Sequence, residues 1–320
     1  ALDHQHDFLP KTMAAALDFS ALLSIDNAAR KAAEAGFDAL RESQPQVVAT
    51  QLVAAFTQPC DPAVQELCAV LARRYLPAMF RGFTQHQFSV EVREHVKSGL
   101  LSALSAEHPP SLRRKLCSVV GRLGAEFHAD NSWPELSSFV QQACGSGVAS
   151  VHHSALSVLD QMAPAIVEPE SWQRCGAPVQ AMLLDGLAAG RAPEVQAAAL
   201  SALAALLRTS ANQERDAESR LLSARDATAR KSAKAVRKAY KMIAAGLGET
   251  LPAMLGVLEG ALQAGGEGGA ALAVLENLTE VAELQPRLFK GVLPQVVEGM
   301  ASLALSQLPA EQRIASTELL

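Results

Sequence analysis

The sequence has few aromatic residues, and it lacks the patterns that are typical of β-strands. Phe, Trp and Tyr make up 4% of the 320 residues, whereas hydrophobic residues make up 49%. Ala and Leu dominate, and such small or unbranched side chains favour helices that pack closely. No stretch alternates Val, Ile and Thr with polar residues, as half-buried strands do. We therefore expect an all-α protein.

Paired cysteines, an excess of basic residues and long apolar runs are also missing. The five cysteines, an odd number, form no Cys-x-x-Cys pair, so we interpret them as reduced thiols. They are Cys60, Cys68, Cys117, Cys144 and Cys175. The net charge of −5 weighs against direct binding of nucleic acid. No secretory signal opens the chain and no apolar run of about 18 residues is free of polar breaks, so we expect no membrane segment.

The motifs of common catalytic and metal sites are missing as well. There is no Gly-x-x-x-x-Gly-Lys phosphate loop and no Gly-x-Ser-x-Gly elbow. His152 and His153 are adjacent and point to different sides of a helix, while His4 and His6 lack a ligand cluster. We expect these histidines on the surface, and we expect no catalytic residue, metal or cofactor. A helical enzyme is kept as the third hypothesis for function.

A turn signal recurs about every 40 residues, with apolar helical runs around it. It occurs at 24–27, 58–62, 107–110, 145–147, 190–193, 265–268 and 307–309. Such a period is typical of HEAT or armadillo repeats, whose helix pairs must stack to bury their apolar faces. The sequence predicts an α-solenoid, a right-handed superhelix of about seven HEAT-type pairs, as a single domain over residues 1–320. The pairs are expected at 12–42, 45–80, 88–128, 133–167, 172–209, 247–284 and 286–320.

Residues 210–246 break this period. We predict a loop at 210–213, followed by a charged helix in which the basic residues from Arg230 to Lys241 have no acid between them. The segment is interpreted as a solvated insertion between the fifth and sixth pairs that is dispensable for folding. A partner-contacting arm is the alternative. Because the chain starts at Ala1 and ends in a helical pattern, we also expect it to be part of a longer protein.

Several segments resemble one family of helical-repeat proteins. Residues 27–34 read Asn-Ala-Ala-Arg-Lys-Ala-Ala-Glu, residues 64–74 end in Leu-Ala-Arg-Arg, and residues 131–136 read Asn-Ser-Trp-Pro-Glu-Leu. In this order they resemble the N-terminal portion of karyopherin-β (importin-β-like) nuclear transport receptors. Residues 251–255 and 286–289 resemble the importin branch that carries ribosomal proteins and histones.

The resemblance implies a nuclear import receptor that works by binding and not by catalysis. Its partners would be the small GTPase Ran in its GTP form, basic protein cargo and the phenylalanine–glycine repeats of nuclear pore proteins, and a monomer would move between cytoplasm and nucleus. The Ran-facing candidates that it implies lie on the first B helices: Arg30, Glu34, Arg73, Arg74, Arg113, Arg114 and Lys115. Each could instead be a solvent-exposed charge or a bridge between repeats. The alternative function is that of a generic HEAT scaffold subunit of a cytosolic complex, such as a phosphatase.

Overall fold

The computed structural model describes residues 17–82, 88–128, 130–263, 270–294 and 296–298. These residues form twelve α-helices and two short 3-10 helices, and they contain no strand, so the predicted all-α class is confirmed. The α-helices are α1 (Asn27–Ser43), α2 (Pro45–Thr57), α3 (Pro62–Gly82), α4 (Val90–Ser105), α5 (Pro110–His128), α6 (Pro134–Cys144), α7 (Ala149–Ile166), α8 (Pro169–Gly186), α9 (Pro193–Ser223), α10 (Ala227–Gly248), α11 (Leu251–Gln263) and α12 (Ala270–Leu284).

The helices begin where the sequence offers caps. Asp26 accepts a hydrogen bond from the Ala28 amide at 2.9 Å, and Asp61 accepts one from the Ala63 amide at 2.8 Å. Each bond satisfies one of the amides that the first helical turn leaves free. Ser111 is also a residue type that favours helix caps, but it does not cap α5, because α5 begins at Pro110 and the Ser111 hydroxyl donates to Glu66.

The chain forms two compact units, residues 1–119 and 120–320. In the first unit, α2 packs against α1, α3 and α4, and its Val48, Leu52 and Val53 are fully buried. In the second, α7 packs against α6, α8 and α9. Apolar residues recur every three to four positions along α5, and Leu112, Leu116 and Leu123 are buried there at 0–1% exposure.

Alternate helices of the second unit form two rows. One row runs α6–α8–α10, and the other runs α7–α9–α12. Consecutive helices connect the rows, since α6 packs on α7, α8 on α9 and α10 on α9. We call the row α6–α8–α10 the A row and the row α7–α9–α12 the B row. This arrangement of stacked helix pairs confirms the predicted α-solenoid of HEAT type.

Residues 210–246 differ from the expectation. The predicted loop at 210–213 is wrong, because α9 continues without a break to Ser223. Ala211 and Ala217 are buried, and α10 packs along α9 and also contacts α8. The Ser210 hydroxyl donates to the Tyr240 carbonyl at 3.1 Å, which satisfies a polar group at 0% exposure. The segment is therefore packed, and α10 extends the A row.

One stretch, Ala227–Gly260, is long and apolar enough to cross a membrane by length and composition alone, since its most apolar window of 18 residues has a mean hydropathy of 1.3. It comprises α10 and most of α11, and 44% of its most apolar window is buried in the fold. Core helices of soluble proteins pass the same test, so this is weak evidence for a membrane segment.

Candidate partner-binding surfaces

The two candidates on α1 interact within their own helix. The Arg30 guanidinium donates to the Ser24 carbonyl at 3.1 Å and to the Asn27 side-chain oxygen. It also lies 3.9 Å from the Glu34 carboxylate, one helical turn further along. Both side chains are partly exposed, at 39% and 57%. A partner at this position would have to compete with these local contacts.

The two candidates on α3 are both exposed, but their surroundings differ. Consecutive residues on a helix point about 100° apart, so Arg73 and Arg74 face different directions. The Arg74 guanidinium lies over the Tyr75 ring, 5.1 Å from its centroid, and Arg41 lies over the same ring at 4.9 Å. Such cation–π contacts hold a guanidinium in place. Arg73 has no ion pair or hydrogen bond to any residue that the structure describes.

The three candidates on α5 also differ in whether their side chains have a polar partner. The Lys115 ammonium donates to Glu66 Oε2 on α3 at 2.6 Å, while the Ser111 hydroxyl donates to Glu66 Oε1 at 2.5 Å. The Lys115 ammonium and the Ser111 hydroxyl hold the pKa of the Glu66 carboxyl below its usual value. Lys115 is therefore a bridge between helices. Arg114 is exposed and Arg113 half-buried, and neither has a polar partner within the described ranges.

Glu66 was not singled out by the sequence. It lies seven residues before Arg73, which is two helical turns, so both residues share one side of α3. The spacing of Glu66 and Arg73 indicates that they share a helix face, but it does not indicate which residue Glu66 contacts. The contact with Lys115, 49 residues away, requires the packing of α3 on α5.

A small apolar cavity of about 60 Å³ opens between the A-row helices α6 and α8. Its lining includes Val140, Met162, Val179 and Met182. His128 stands at one side, and burial, together with the nearby Arg174 charge, lowers its pKa. The cavity accordingly offers apolar side chains beside a histidine whose pKa is lowered by burial.

The B row of the second unit carries an acidic face. Arg208 on α9 makes a forked ion pair with Glu280 on α12, with Nη2 at 2.7 Å from Oε2. Glu276 and Glu283 lie one turn to either side of Glu280, and both are exposed. Among the described residues, neither has an ion pair. Two carboxylates are therefore left for a basic partner.

His152 is not on the surface, so that prediction is wrong. It is 1% exposed, and its Nε2 lies 3.8 Å from Asp185, whose carboxylate is held by Arg191 at 2.6 Å. Burial and the Arg191 charge lower the His152 pKa, against the opposing effect of Asp185. His4 and His6 lie outside the described residues. The residues that are described contain no cluster of three or more His, Cys, Asp or Glu suited to a metal, and none of the five cysteines forms a disulfide.

Comparison with known proteins gives a match in sequence for part of the chain and in fold for most of it. Residues 108–224 match the family model described as IPO5-like, TPR repeats, and this match ends at the residue that follows α9. No curated protein matches.

Solved structures of the karyopherin Kap121p share the fold. The structures of Kap121p bound to Pho4p, to Nup53p and to RanGTP match with TM-scores of 0.70, 0.70 and 0.68. Identities are 24%, 23% and 23%, and each match covers 94% of this chain. The chain spans about a quarter of the length of these structures, at 26%, 25% and 25%. It therefore has the fold of a karyopherin, and its central segment is similar to the IPO5-like repeats.

Proposed function

We propose that this chain is part of a nuclear transport receptor of the karyopherin type, which binds its partners without catalysis. The observation that carries the proposal is the likeness in fold to Kap121p over 94% of the chain, including the RanGTP-bound form. The IPO5-like match over residues 108–224 supports it independently. Such a receptor would work in both cytoplasm and nucleus, and the importin branch that carries ribosomal proteins and histones is the branch we propose.

Ran in its GTP form would contact the exposed cations of α3 and α5. Arg73 and Arg114 are exposed and have no polar partner among the described residues, and Arg74 is exposed and held by Tyr75. Lys115 is better explained as a structural bridge, because Glu66 already binds it. The proposed Ran surface therefore comprises Arg73, Arg74 and Arg114.

Pore proteins and cargo would use the second unit. We place the contact with a phenylalanine–glycine repeat at the cavity between α6 and α8 because its walls are apolar; its volume of about 60 Å³ means that the walls would have to move apart to admit the ring. Glu276 and Glu283 on the B row would attract a basic cargo segment, mainly by raising the association rate. The first proposal rests on the apolar walls of the cavity, and the second rests on two exposed carboxylates.

A titration with Ran in its two nucleotide states tests the proposal. We expect tighter binding to Ran-GTP than to Ran-GDP, and at least about tenfold weaker binding, about 1.4 kcal/mol, after Arg73→Glu with Arg74→Glu. Arg287→Glu with Lys290→Glu is the matched control, because it removes the same charge from two exposed residues elsewhere.

The melting temperature of each variant should stay close to that of the parent, since exposed charges contribute little to stability. Equal affinity for both nucleotide states would contradict the proposal and would favour the generic HEAT scaffold. An equal loss in the control pair would show that net charge, and not this surface, governs binding.

A further inference from the structure

We propose that the exposed side of α10 binds an acidic protein segment. Four basic residues define this α10 basic face: Arg230, Lys231, Lys234 and Lys238, all exposed. Their spacing puts them on one side of the helix, within about 100° of each other. The opposite side buries Ala233, Tyr240, Ile243 and Ala244. The inference does not depend on Ran binding.

The remaining cations of α10 are already neutralised by α9. Arg237 Nη2 lies 2.8 Å from Glu218 Oε1, and Lys241 Nζ lies 3.6 Å from Glu214 Oε1. In contrast, Lys231, Lys234 and Lys238 have no ion pair with any described residue, and Arg230 only donates to the Ala224 carbonyl at 3.2 Å. The packing of α9 on α10 thus compensates the charges next to the contact and leaves four facing solvent.

The α10 basic face is held rigidly. The Tyr240 hydroxyl donates to Glu168 Oε2 on the α7–α8 connection at 3.2 Å, and the Tyr240 carbonyl accepts from Ser210. Asp226 caps the start of α10 by accepting from the Ala229 amide at 2.7 Å. A surface that is ordered before binding loses less entropy when a partner arrives.

The size of the face favours a peptide over a nucleic acid. From Arg230 to Lys238 the helix rises about 12 Å, which matches about four residues of extended chain. The chain as a whole carries a net charge of −5, so a long polyanion would be repelled beyond this patch. Met242, 65% exposed and one turn past Lys238, adds an apolar contact at one end. The occupant is accordingly a short run of acidic residues with an apolar residue beside it.

Fluorescence anisotropy of the whole chain with a labelled peptide tests the proposal. The probe is a peptide of about five alternating Asp and Glu residues with a terminal Leu, just long enough to span the face. We expect binding that weakens as salt rises, because exposed ion pairs are screened. Lys231→Glu, Lys234→Glu and Lys238→Glu together should weaken it by at least about tenfold.

The matched control replaces three exposed cations elsewhere: Lys31→Glu, Arg287→Glu and Lys290→Glu. It changes the net charge by the same amount and should leave the affinity within about twofold. Melting curves establish that both variants fold, and a Lys→Gln triple at the same α10 positions serves if the Glu triple does not. Equal weakening in both triples overturns the proposal.

Two further measurements distinguish an acidic peptide with an apolar residue from an all-acidic peptide and from a nucleic acid. Met242→Ser should weaken binding of the peptide with the terminal Leu and leave the all-acidic peptide unchanged; an unchanged affinity for both peptides overturns the apolar contact. A single-stranded oligonucleotide of equal charge should bind more weakly than the peptide. If it binds as tightly or more tightly, the surface recognises phosphate backbones and the proposed occupant is wrong.

Discussion

Gly121 on α5 lies directly against α7 in the second unit. A Cβ added at this position would lie 2.4 Å from Gln161 Cβ and 3.0 Å from the Val158 carbonyl oxygen. Neither of these atoms is at the flexible end of a side chain, so the helices themselves must shift. Gly36 on α1 is the matched control, because nothing lies within 4 Å of a Cβ built there.

Both substitutions to Ala remove the same disadvantage of glycine in a helix, about 1 kcal/mol. Gly36→Ala should therefore stabilise the chain by up to about 1 kcal/mol. At Gly121 the overlap with Gln161 Cβ is about 1 Å relative to ordinary contact, and overpacking of this kind costs about 1–3 kcal/mol. We expect Gly121→Ala to lower the free energy of unfolding, with the two variants differing by about 1–3 kcal/mol.

Urea unfolding followed by circular dichroism measures both variants. The double variant Gly121→Ala with Gln161→Gly removes the clashing Cβ, so a double-mutant cycle should recover part of the loss. If Gly121→Ala is as stabilising as Gly36→Ala, or if the cycle shows no coupling, α5 and α7 do not approach as closely as described.

Three further outcomes follow from buried groups. Leu116→Asp should cost several kcal/mol, because Leu116 is 0% exposed and an unpaired carboxylate would be buried; an unchanged melting curve would contradict this. Burial lowers the His152 pKa, so the unfolded chain binds a proton more readily than the folded one. Stability should hold above the unfolded pKa of about 6.5 and fall as pH drops below it; His152→Gln should flatten this part of the pH profile relative to the parent, while His128 keeps its own contribution. Replacing residues 211–238 with a Gly/Ser linker should reduce helicity by more than the deleted residues account for, because Ala211, Ala217 and Ala233 fill the contact between α9 and α10; helicity lost only in proportion to the deletion would show that the segment is dispensable.

The last of these reverses what the sequence led us to expect, and the reason is the size of the side chains. From Leu112 to Leu123 large apolar residues recur every three to four positions, a pattern that predicts a helix with one buried face. Between 210 and 246 the buried residues are mostly alanines, and Ser210 is buried through a hydrogen bond to Tyr240. Alanines among many charged residues are typical of a solvated helix, so the pattern predicted exposure. Small residues also allow two helices to approach closely, and this is what α9 and α10 do. The helical-repeat class could thus be predicted, but not the packing of α9 on α10.

The candidate Ran surface could be predicted only as a set of helices. Resemblance pointed to α1, α3 and α5, and the angle between Arg73 and Arg74 followed from helix geometry. Which cation is free depends on acids from elsewhere in the chain, such as Glu66 for Lys115. His152 shows the same limit, since its buried position beside Asp185 depends on how α7 packs on α8.

The distinction between a paired and an unpaired cation connects the two binding proposals. A partner that approaches Lys115 or Arg237 must displace or share a carboxylate that is already within 4 Å, so the gain from the new ion pair is offset by the loss of the old one. At Arg73 and at Lys234 no such exchange is needed, because the structure gives neither an ion pair with a described residue. Affinity gained there is modest for each residue and depends on salt, and it becomes specific only where several such cations share one rigid face. On this ground α10 is the stronger electrostatic surface, whereas recognition at α3 would need contacts besides charge.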